Sequence, residues 1–279
     1  MYDTSARPEE ARERVLRWYR RSGRDLPWRR TRDPYRVLVS EVMLQQTQVS
    51  RVLPAYASFL RQFPTLAALA RASLGDVLRA WSGLGYNRRA RDLHRIARRH
   101  PRVLPKSVAE LDGLPGVGPY TAAAVACFAH GTRTAFADTN IRRVLGRIFL
   151  GRAATDREAL ALDDRVGPRR DPARWHHALM DLGATICVAR TPRCERCPVV
   201  RICAYDGTER QRRPTQSPFG PSDRRVRGAI IRVLASRDAV TVAALRREIA
   251  DPRVPALVGT LAEEGLVEVG ARGVRLPTG

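Results

Sequence analysis

Apolar residues recur at helical spacing between residues 8 and 188, and the alternation typical of strands is nearly absent there. Each amphipathic segment predicts a helix that buries one face. The predicted helices are 8–20, 34–47, 49–63, 75–81, 87–98, 119–129, 140–149 and 172–187. The pattern therefore indicates an all-α domain, and we place it at residues 1–205.

The pattern changes after this domain. Residues 206–223 are polar and contain three prolines, which is typical of a linker. Predicted helices at 224–235, 242–249 and 254–264 are followed by a two-strand ribbon at 266–276, so residues 224–279 form a small winged-helix-like domain. The third helix carries only Glu263 and Glu264 as charged residues. We therefore expect this domain to dock on the first domain or a partner, or to touch only the backbone of any nucleic acid that binds, without reading bases.

Charge identifies the class of partner. The 279 residues include 50 Lys+Arg and 28 Asp+Glu, a formal net charge of +22, which favours a nucleic acid. Lys106 is the only lysine, so guanidinium groups supply nearly all of the positive charge. A codon usage that favours Arg would explain why Arg is used instead of Lys, but it would not explain the excess of basic over acidic residues. No apolar run is long enough to span a membrane, so we expect an intracellular, cytoplasmic protein.

A glycine-rich turn lies between two predicted helices. Gly116, Val117 and Gly118 precede Pro119, and two glycines let the backbone turn with its amides outward at a helix N-terminus. Such a loop binds a nucleic-acid phosphate without reading sequence. An ordinary interhelical turn is the alternative interpretation.

Four of the five cysteines cluster near the end of the first domain. Cys187, Cys194, Cys197 and Cys203 follow the spacing Cys-x6-Cys-x2-Cys-x5-Cys. Four thiolates can hold one zinc ion or ligate the irons of a [4Fe-4S] cluster, and this spacing favours the cluster. Cys127 lies within an apolar predicted helix and is expected in the core.

Several motifs together resemble the helix-hairpin-helix DNA glycosylases, specifically the MutY-type adenine glycosylases. The resemblance covers residues 15–204. It rests on the run Ser-Glu-Val-Met-Leu-Gln-Gln-Thr-Gln at 40–48, Gly-Leu-Gly-Tyr at 83–86, the glycine turn, Asp-Thr-Asn at 138–140 and the cysteine loop. The first run is specific to that branch, whereas endonuclease III and thymine mismatch glycosylases share the turn and the cysteine loop. The resemblance implies a two-lobed helical domain, a [4Fe-4S] cluster and a base flipped out of mismatched or oxidised duplex DNA.

The resemblance also implies roles for individual residues. Tyr120 and Asn140 complete the hydrogen bonding around two catalytic carboxylates, those of Glu41 and Asp138. The residues implied to contact DNA are Gln45, Gln46, Thr47, Leu84, Tyr86, Gly116, Val117, Gly118 and Arg201. The residues implied to form the base pocket are Arg24, Trp28, Arg29, Leu44 and His177. Among the DNA contacts, Gln46, Leu84 and Tyr86 would insert beside the expelled base; packing within the turn is the alternative for Leu84 and Tyr86.

Two carboxylates lie in different environments. Glu41 has Val37, Leu38 and Leu44 among its neighbours on one helix face, so its carboxyl is expected to be protonated and to act as a general acid on adenine. Asp138 begins a helix, where an ionised carboxylate can face the developing sugar cation. The alternatives are a polar-edge residue for Glu41 and a helix N-cap for Asp138.

Departures from the family leave other functions open. Bifunctional relatives use a lysine amine where this chain has Tyr120, so we expect a monofunctional glycosylase. Thr139, Asn87 and His177 replace the residues frequent at these positions, and larger members carry a Nudix-like domain that recognises 8-oxoguanine, which is absent here. Removal of thymine or uracil opposite guanine is one alternative function, and non-enzymatic DNA binding is another.

Overall fold

The computed structural model describes residues 7–208, 219–220 and 222–278, with only the backbone of Arg7. In chain order, the helices are α1 (Arg7–Ser22), α2 (Pro34–Leu44), α3 (Val49–Gln62), α4 (Leu66–Arg71), α5 (Leu74–Ala80), α6 (Arg88–Arg99), α7 (Val108–Asp112), α8 (Pro119–His130), α9 (Thr139–Leu150), α10 (Asp156–Val166), α11 (Pro172–Thr185), α12 (Asp223–Ala235), α13 (Val242–Ile249) and α14 (Val254–Glu263). Strands β1 (Glu268–Gly270) and β2 (Gly273–Arg275) pair antiparallel.

The predicted all-α class of the first domain is confirmed, with differences at the ends of elements. The helix predicted at 34–47 ends at Leu44, and the one predicted at 172–187 ends at Thr185. Three helices were not predicted: α4, α7 and α10. Most of the predicted linker lies outside the described residues. No described helix is long and apolar enough to cross a membrane.

Local sequence explains where α9 and α10 begin. The Asp138 side chain accepts a hydrogen bond from the Ile141 amide and caps α9. Thr155 and Glu158 form a reciprocal capping box at the start of α10. These caps satisfy main-chain donors that would otherwise lack partners at a helix start.

The chain divides into two compact units. Unit 1 comprises residues 1–37, 106–112 and 118–214. Helices α9 and α11 pack together there, as do α7 and α8. The core contains Trp175, Phe136 and Leu179, each at most 2% exposed. The packing of α9 on α11 within unit 1 thereby holds the N-terminus of α9 in place.

Unit 2 comprises residues 38–105, 113–117 and 215–279. Helices α4 and α5 pack on α6, and α12 packs on both α5 and α14. The Gly75 amide donates to Pro277 O (2.9 Å), and a Cβ on Gly75 would lie 2.6 Å from that oxygen. The C-terminal helices thus pack within the unit that contains α3–α6. The predicted domain boundaries remain a prediction.

Candidate functional site

The Asp138 carboxylate is fixed at the N-terminus of α9. Its Oδ1 accepts a hydrogen bond from the Ile141 amide (2.7 Å), and its Oδ2 accepts one from Asn140 Nδ2 (2.8 Å). The N-cap geometry considered as an alternative is therefore present, and it holds the carboxylate in one orientation. An oriented carboxylate at this position is equally suited to face a developing cation.

Asn140 is held as tightly as Asp138. Its Oδ1 accepts a hydrogen bond from Arg143 Nη2 (2.7 Å), and the same nitrogen donates to Gly183 O (2.7 Å). A Cβ on Gly183 would lie 2.6 Å from the Asn140 Cβ, so only glycine fits there. Residue 183 on α11 thus allows the close approach that positions Asn140.

Tyr120 lies in the same unit, in the first turn of α8. Its ring packs edge-to-face on Phe136 with centroids 5.6 Å apart. Phe136 is 2% exposed and lies two residues before Asp138 in the chain. Unit 1 therefore contains three of the four predicted catalytic residues, Tyr120, Asp138 and Asn140.

Glu41, the fourth, lies on α2 within unit 2. Its side chain is buried, with 8% of the residue exposed, and its neighbours Leu38 and Val42 are also buried. This agrees with the expected apolar helix face.

The glycine turn has the expected backbone. Gly116 has a φ of +71°, and a Cβ there would lie 3.0 Å from the Asp92 Cβ. Gly118 has a φ of −105° and caps α8, with Pro119 in the first turn. A Cβ on Gly118 would meet nothing within 4 Å. Only Gly116 is thus required by the fold, and its left-handed conformation is what turns the chain.

Two loops in unit 2 carry the residues predicted to enter the DNA stack. Gln46 and Tyr86 have φ values of +55° and +49°, a conformation that side-chain-bearing residues rarely adopt. Gln46 is exposed, and Tyr86 is 37% exposed. Leu84 is only 4% exposed, which matches the packing alternative for that residue. The two loops therefore present Gln46 and Tyr86 outward.

Arg89 binds both loops through main-chain oxygens. Its Nη1 donates to Val42 O (2.8 Å), Met43 O (3.0 Å) and Gln45 O (2.5 Å). Its Nη2 donates to Gly85 O (3.1 Å), and its guanidinium lies over the Tyr86 ring at 5.2 Å. Burial lowers the pKa of Arg89 to about 10, still well above neutral pH. The group stays charged and can compensate the carbonyls that α2 leaves unpaired at its end.

Two of the predicted base-pocket residues, Arg24 and Arg29, bind one buried acid, Asp181. Asp181 has a fully buried side chain that accepts from Arg29 Nη1 (2.7 Å) and Nη2 (2.8 Å) and from Arg24 Nε (2.6 Å). Burial alone would raise the pKa of Asp181, but Arg29 and Arg24 outweigh it and lower the pKa. This carboxylate orients the two arginines.

The other pocket residues of unit 1 are largely apolar in their surroundings. Trp28 is 6% exposed. The His177 ring stacks on Phe128 with centroids 4.3 Å apart. Burial, followed by the charge of Arg29, lowers the pKa of His177 well below its usual value. His177 is therefore a neutral imidazole. Leu44, the remaining predicted pocket residue, lies in unit 2 at the end of α2.

The four clustered cysteines line a single cavity of about 480 Å³ together with Arg147 and Tyr205. No three His, Cys, Asp or Glu side chains within the described ranges converge on one ion position. Burial raises the pKa of Cys197 to about 12.

Arg147 supports this loop from α9. It is 2% exposed, donates to Val188 O (2.9 Å) and Ala189 O (3.0 Å), and lies 3.7 Å from Cys187 Sγ. Its guanidinium also lies over the Tyr205 ring at 4.4 Å. The four arginines of the loop are exposed: Arg190, Arg193, Arg196 and Arg201.

Sequence reasoning missed Arg89, Asp181 and Arg147. A signal was present for two of them, because Asp181 follows Leu179 and precedes Leu182 on a buried helix face, and Arg147 lies between Val144 and Ile148. A charge on an apolar face requires a partner. Nothing in the sequence around Arg89, within an arginine-rich segment, distinguishes it from its neighbours.

Comparison with known proteins gives a consistent result. Residues 39–165 match the family described as the HhH-GPD superfamily of base excision DNA repair proteins. The chain is 46% identical over 238 residues to the adenine DNA glycosylase of Mycobacterium tuberculosis strain H37Rv, covering 80% of this chain and 78% of that protein. It is 42% identical over 207 residues to the human adenine DNA glycosylase, covering 68% of this chain and 38% of that protein.

Solved structures show the same fold. A thermostable thymine-DNA glycosylase superposes with a TM-score of 0.68 at 29% identity, covering 72% of this chain and 97% of that one. Endonuclease III in a non-covalent DNA complex gives a TM-score of 0.63 at 22% identity, covering 72% and 96%. At that identity, the second likeness concerns the fold alone.

Proposed function

Since the chain belongs to the MutY-type adenine DNA glycosylases of the helix-hairpin-helix superfamily of base excision repair proteins, we propose that it hydrolyses the N-glycosidic bond of adenine opposite guanine or 8-oxoguanine. The observation that carries this proposal is the burial of Glu41, which favours a protonated carboxyl. Adenine departs readily once its imidazole ring is protonated. A pyrimidine has no equivalent nitrogen and departs as an anion, which hydrogen-bond donors serve better.

The proposed reaction uses one acid and one anion. Glu41 donates its proton to the imidazole nitrogen of adenine as the bond to C1′ breaks, and adenine leaves neutral. The Asp138 carboxylate stabilises the sugar cation, or bonds to it transiently, while oriented by Asn140 and Ile141. Water then adds at C1′ and gives a proton to the Glu41 carboxylate, which restores the acid and leaves an abasic site.

We expect the strand to stay intact. A Schiff base requires an amine, and the only lysine, Lys106, lies before α7 and is not one of the predicted catalytic residues. Tyr120 occupies the position at which bifunctional relatives carry that lysine, and its phenol cannot form an imine. The proposed enzyme is therefore monofunctional.

DNA contacts are proposed at three places. Gln46 and Tyr86, outward on their loops, enter the stack where adenine leaves; Thr47 and Gln45 flank them. The main-chain amide of Gly118 binds phosphate at the start of α8, whereas the Val117 amide donates to Leu114 O (3.1 Å) within the turn. Arg201 and the other exposed arginines of the cysteine loop contact the backbone. The proposed site of action is duplex DNA at the bacterial nucleoid, with the protein acting as a monomer.

The cysteine loop is proposed to hold a [4Fe-4S] cluster through Cys187, Cys194, Cys197 and Cys203. The common cavity of these sulfurs supports this assignment, as does the buried arginine beside them. When bound, the cluster would supply a structural cross-link for the loop. Arg147 then fixes the backbone at Val188 and Ala189, which orients the exposed arginines toward phosphate.

One assay tests the proposal against its main alternative. Adenine, thymine and uracil are placed opposite guanine and 8-oxoguanine, and base release is followed in single turnover, with and without alkali. We expect adenine release to be fastest and strand breaks to appear only with alkali. Faster thymine release would favour the mismatch glycosylase suggested by the 29% identical structure. Binding without release of any base would favour a non-enzymatic protein.

A further inference from the structure

A cleft of about 1260 Å³, partly open to solvent, lies beside the two outward loops of unit 2. The loops contribute Gln45, Gln46 and Tyr86 to one wall. Helices α12 and α14 contribute Arg224, Leu257 and Thr260 to the opposite wall. The cleft thus combines amide, hydroxyl and guanidinium groups with an apolar patch at Leu257.

Arg224 joins the C-terminal helices to the exposed tyrosine. Its Nη1 donates a 2.7 Å hydrogen bond to the Tyr86 hydroxyl, and its guanidinium lies 5.9 Å from the ring centroid. Arg224 lies in the first turn of α12 and is half-buried. The guanidinium is therefore held at the cleft, next to a residue proposed to enter the DNA stack.

Glu264 fixes the opposite wall in place. Its carboxylate, 9% exposed, pairs with Arg88 (2.6 Å) from α6 and with Arg227 from α12. Its main-chain oxygen accepts from Arg91 Nη1 (2.6 Å). Because α6 begins directly after the Tyr86 loop, these bonds set the distance between that loop and the C-terminal helices. The cleft is therefore held by ion pairs at Glu264 as well as by its loops.

The chemistry of the cleft identifies its occupant. If Gln46 and Tyr86 fill the space vacated by adenine, the base that loses its partner remains beside them, where the cleft opens. A guanidinium fork matches the acceptor edge of guanine, where O6 and N7 lie side by side. 8-Oxoguanine keeps O6 and carries a donor at N7, which a glutamine amide oxygen can accept.

We propose that this cleft binds the purine opposite the excised adenine and that Arg224 recognises its O6 edge. The inference rests on the proposed function and deepens it. Base reading by the C-terminal segment was not expected from its sequence, because α14 lacks arginine. The reading group comes instead from the first turn of α12.

The test compares adenine release opposite guanine, 8-oxoguanine and an unsubstituted purine that lacks O6. In the full-length Arg224→Ala variant, we expect single-turnover release opposite guanine to fall about 5- to 100-fold, the range for one lost bidentate contact. Release opposite the unsubstituted purine should change less than about twofold. Arg224→Lys keeps the charge without the fork and should lose the same preference while retaining duplex affinity.

Two controls isolate the base contact. Arg232→Ala removes an exposed arginine from the same helix and should leave every rate unchanged. Tyr86→Phe removes the hydroxyl that Arg224 binds, and it should slow release yet preserve the preference for O6. An equal loss opposite all three bases would overturn the inference in favour of a backbone contact, and an unchanged preference would also overturn it. If the unaltered protein releases no adenine, the proposed function fails instead.

Discussion

Arg89 donates a 2.5 Å hydrogen bond from Nη1 to the main-chain oxygen of Gln45. The same guanidinium reaches Gly85 O through Nη2, so one side chain connects the turn that carries Gln46 to the turn that carries Tyr86. Both residues have positive φ angles, and each such conformation costs about 1 kcal/mol or more. Arg89 is in a position to offset that cost.

Replacing Arg89 with lysine should loosen both loops. An ammonium keeps the charge but cannot reach carbonyls on two loops at once, so buried acceptors lose partners. We expect a fall of about 2 kcal/mol in the free energy of unfolding and slower adenine release with duplex affinity nearly retained. Urea denaturation and single-turnover assays measure these effects. Arg99→Lys, an exposed position at the end of the same helix, should change neither quantity; equal effects at both positions would contradict the role of Arg89.

Glu41→Gln should abolish base release while leaving duplex binding nearly intact. The amide is close in size to the carboxyl but has no proton to give to adenine. We expect a loss of at least about 100-fold in the single-turnover rate, within the range of a lost general acid. Binding to the same duplex by fluorescence anisotropy is the parallel measurement. Glu13→Gln, exposed on α1, is the matched control. Retained release in the Glu41 variant would remove this residue from the mechanism.

Asp181 should make stability depend on pH in the acidic range. Its pKa is lowered in the folded state, so its stabilising effect is present above the unfolded-state value of about 4 and is lost as pH falls through the folded value. Asp181→Asn should cost about 3 kcal/mol at pH 7, because it leaves buried Arg29 without its counter-ion. The difference from the unaltered protein should shrink below about pH 4.

Urea unfolding at pH 7, 5 and 3 measures this dependence. Asp25→Asn is the control, since the Asp25 and Arg30 side chains are 66% and 70% exposed. An exposed pair contributes little to stability, so this variant should unfold like the unaltered protein at each pH. A constant deficit of the Asp181 variant across all three pH values would contradict the argument.

Substitution of the two glycines of the turn should have different effects, on stability at Gly116 and on DNA binding at Gly118. Gly116→Ala places a Cβ 3.0 Å from Asp92 at a φ of +71°, so we expect a loss of about 1–2 kcal/mol in stability. Gly118→Ala meets nothing within 4 Å and should fold normally. Its methyl group would nevertheless narrow the approach of a phosphate to the start of α8. We expect weaker binding to all duplexes from Gly118→Ala, measured by salt titration; unchanged binding would argue for an ordinary turn.

The cysteine loop should bind about four irons per chain. Cys197→Ser should remove the broad visible absorbance and destabilise residues 187–203, because one thiolate ligand is lost. Cys127→Ser is the matched control, since Cys127 is fully buried within α8 and lies outside the loop. Iron analysis after anaerobic purification measures both variants. A colourless, zinc-containing protein would contradict the cluster assignment.

Helical periodicity predicted most of the fold, because each long helix buries one continuous face. It failed where a helix is short, as in α4 and α7. It also overlooked α10, although Thr155 and Glu158 form a recognisable capping signal. The environment of Glu41 was predictable from its own helix. The positive φ of Gln46 and the convergence of Arg89 on two loops were not, because both arise from tertiary contacts between segments about 45 residues apart.

The contacts between α6 and Glu264 cannot form until the ribosome has synthesised Glu264. Arg91 and Glu264 are 173 residues apart, and at about 5–20 residues/s the ribosome needs about 9–35 s to cover that distance. During that interval Arg88 and Arg91 lack their contacts with Glu264, and the Tyr86 loop lacks the opposite wall of the cleft. A nascent chain stopped before α14 would therefore lack the acceptor for Arg88 and Arg91, whatever the condition of unit 1. The purine opposite the excised adenine can therefore be recognised at this cleft only after Glu264 has been translated.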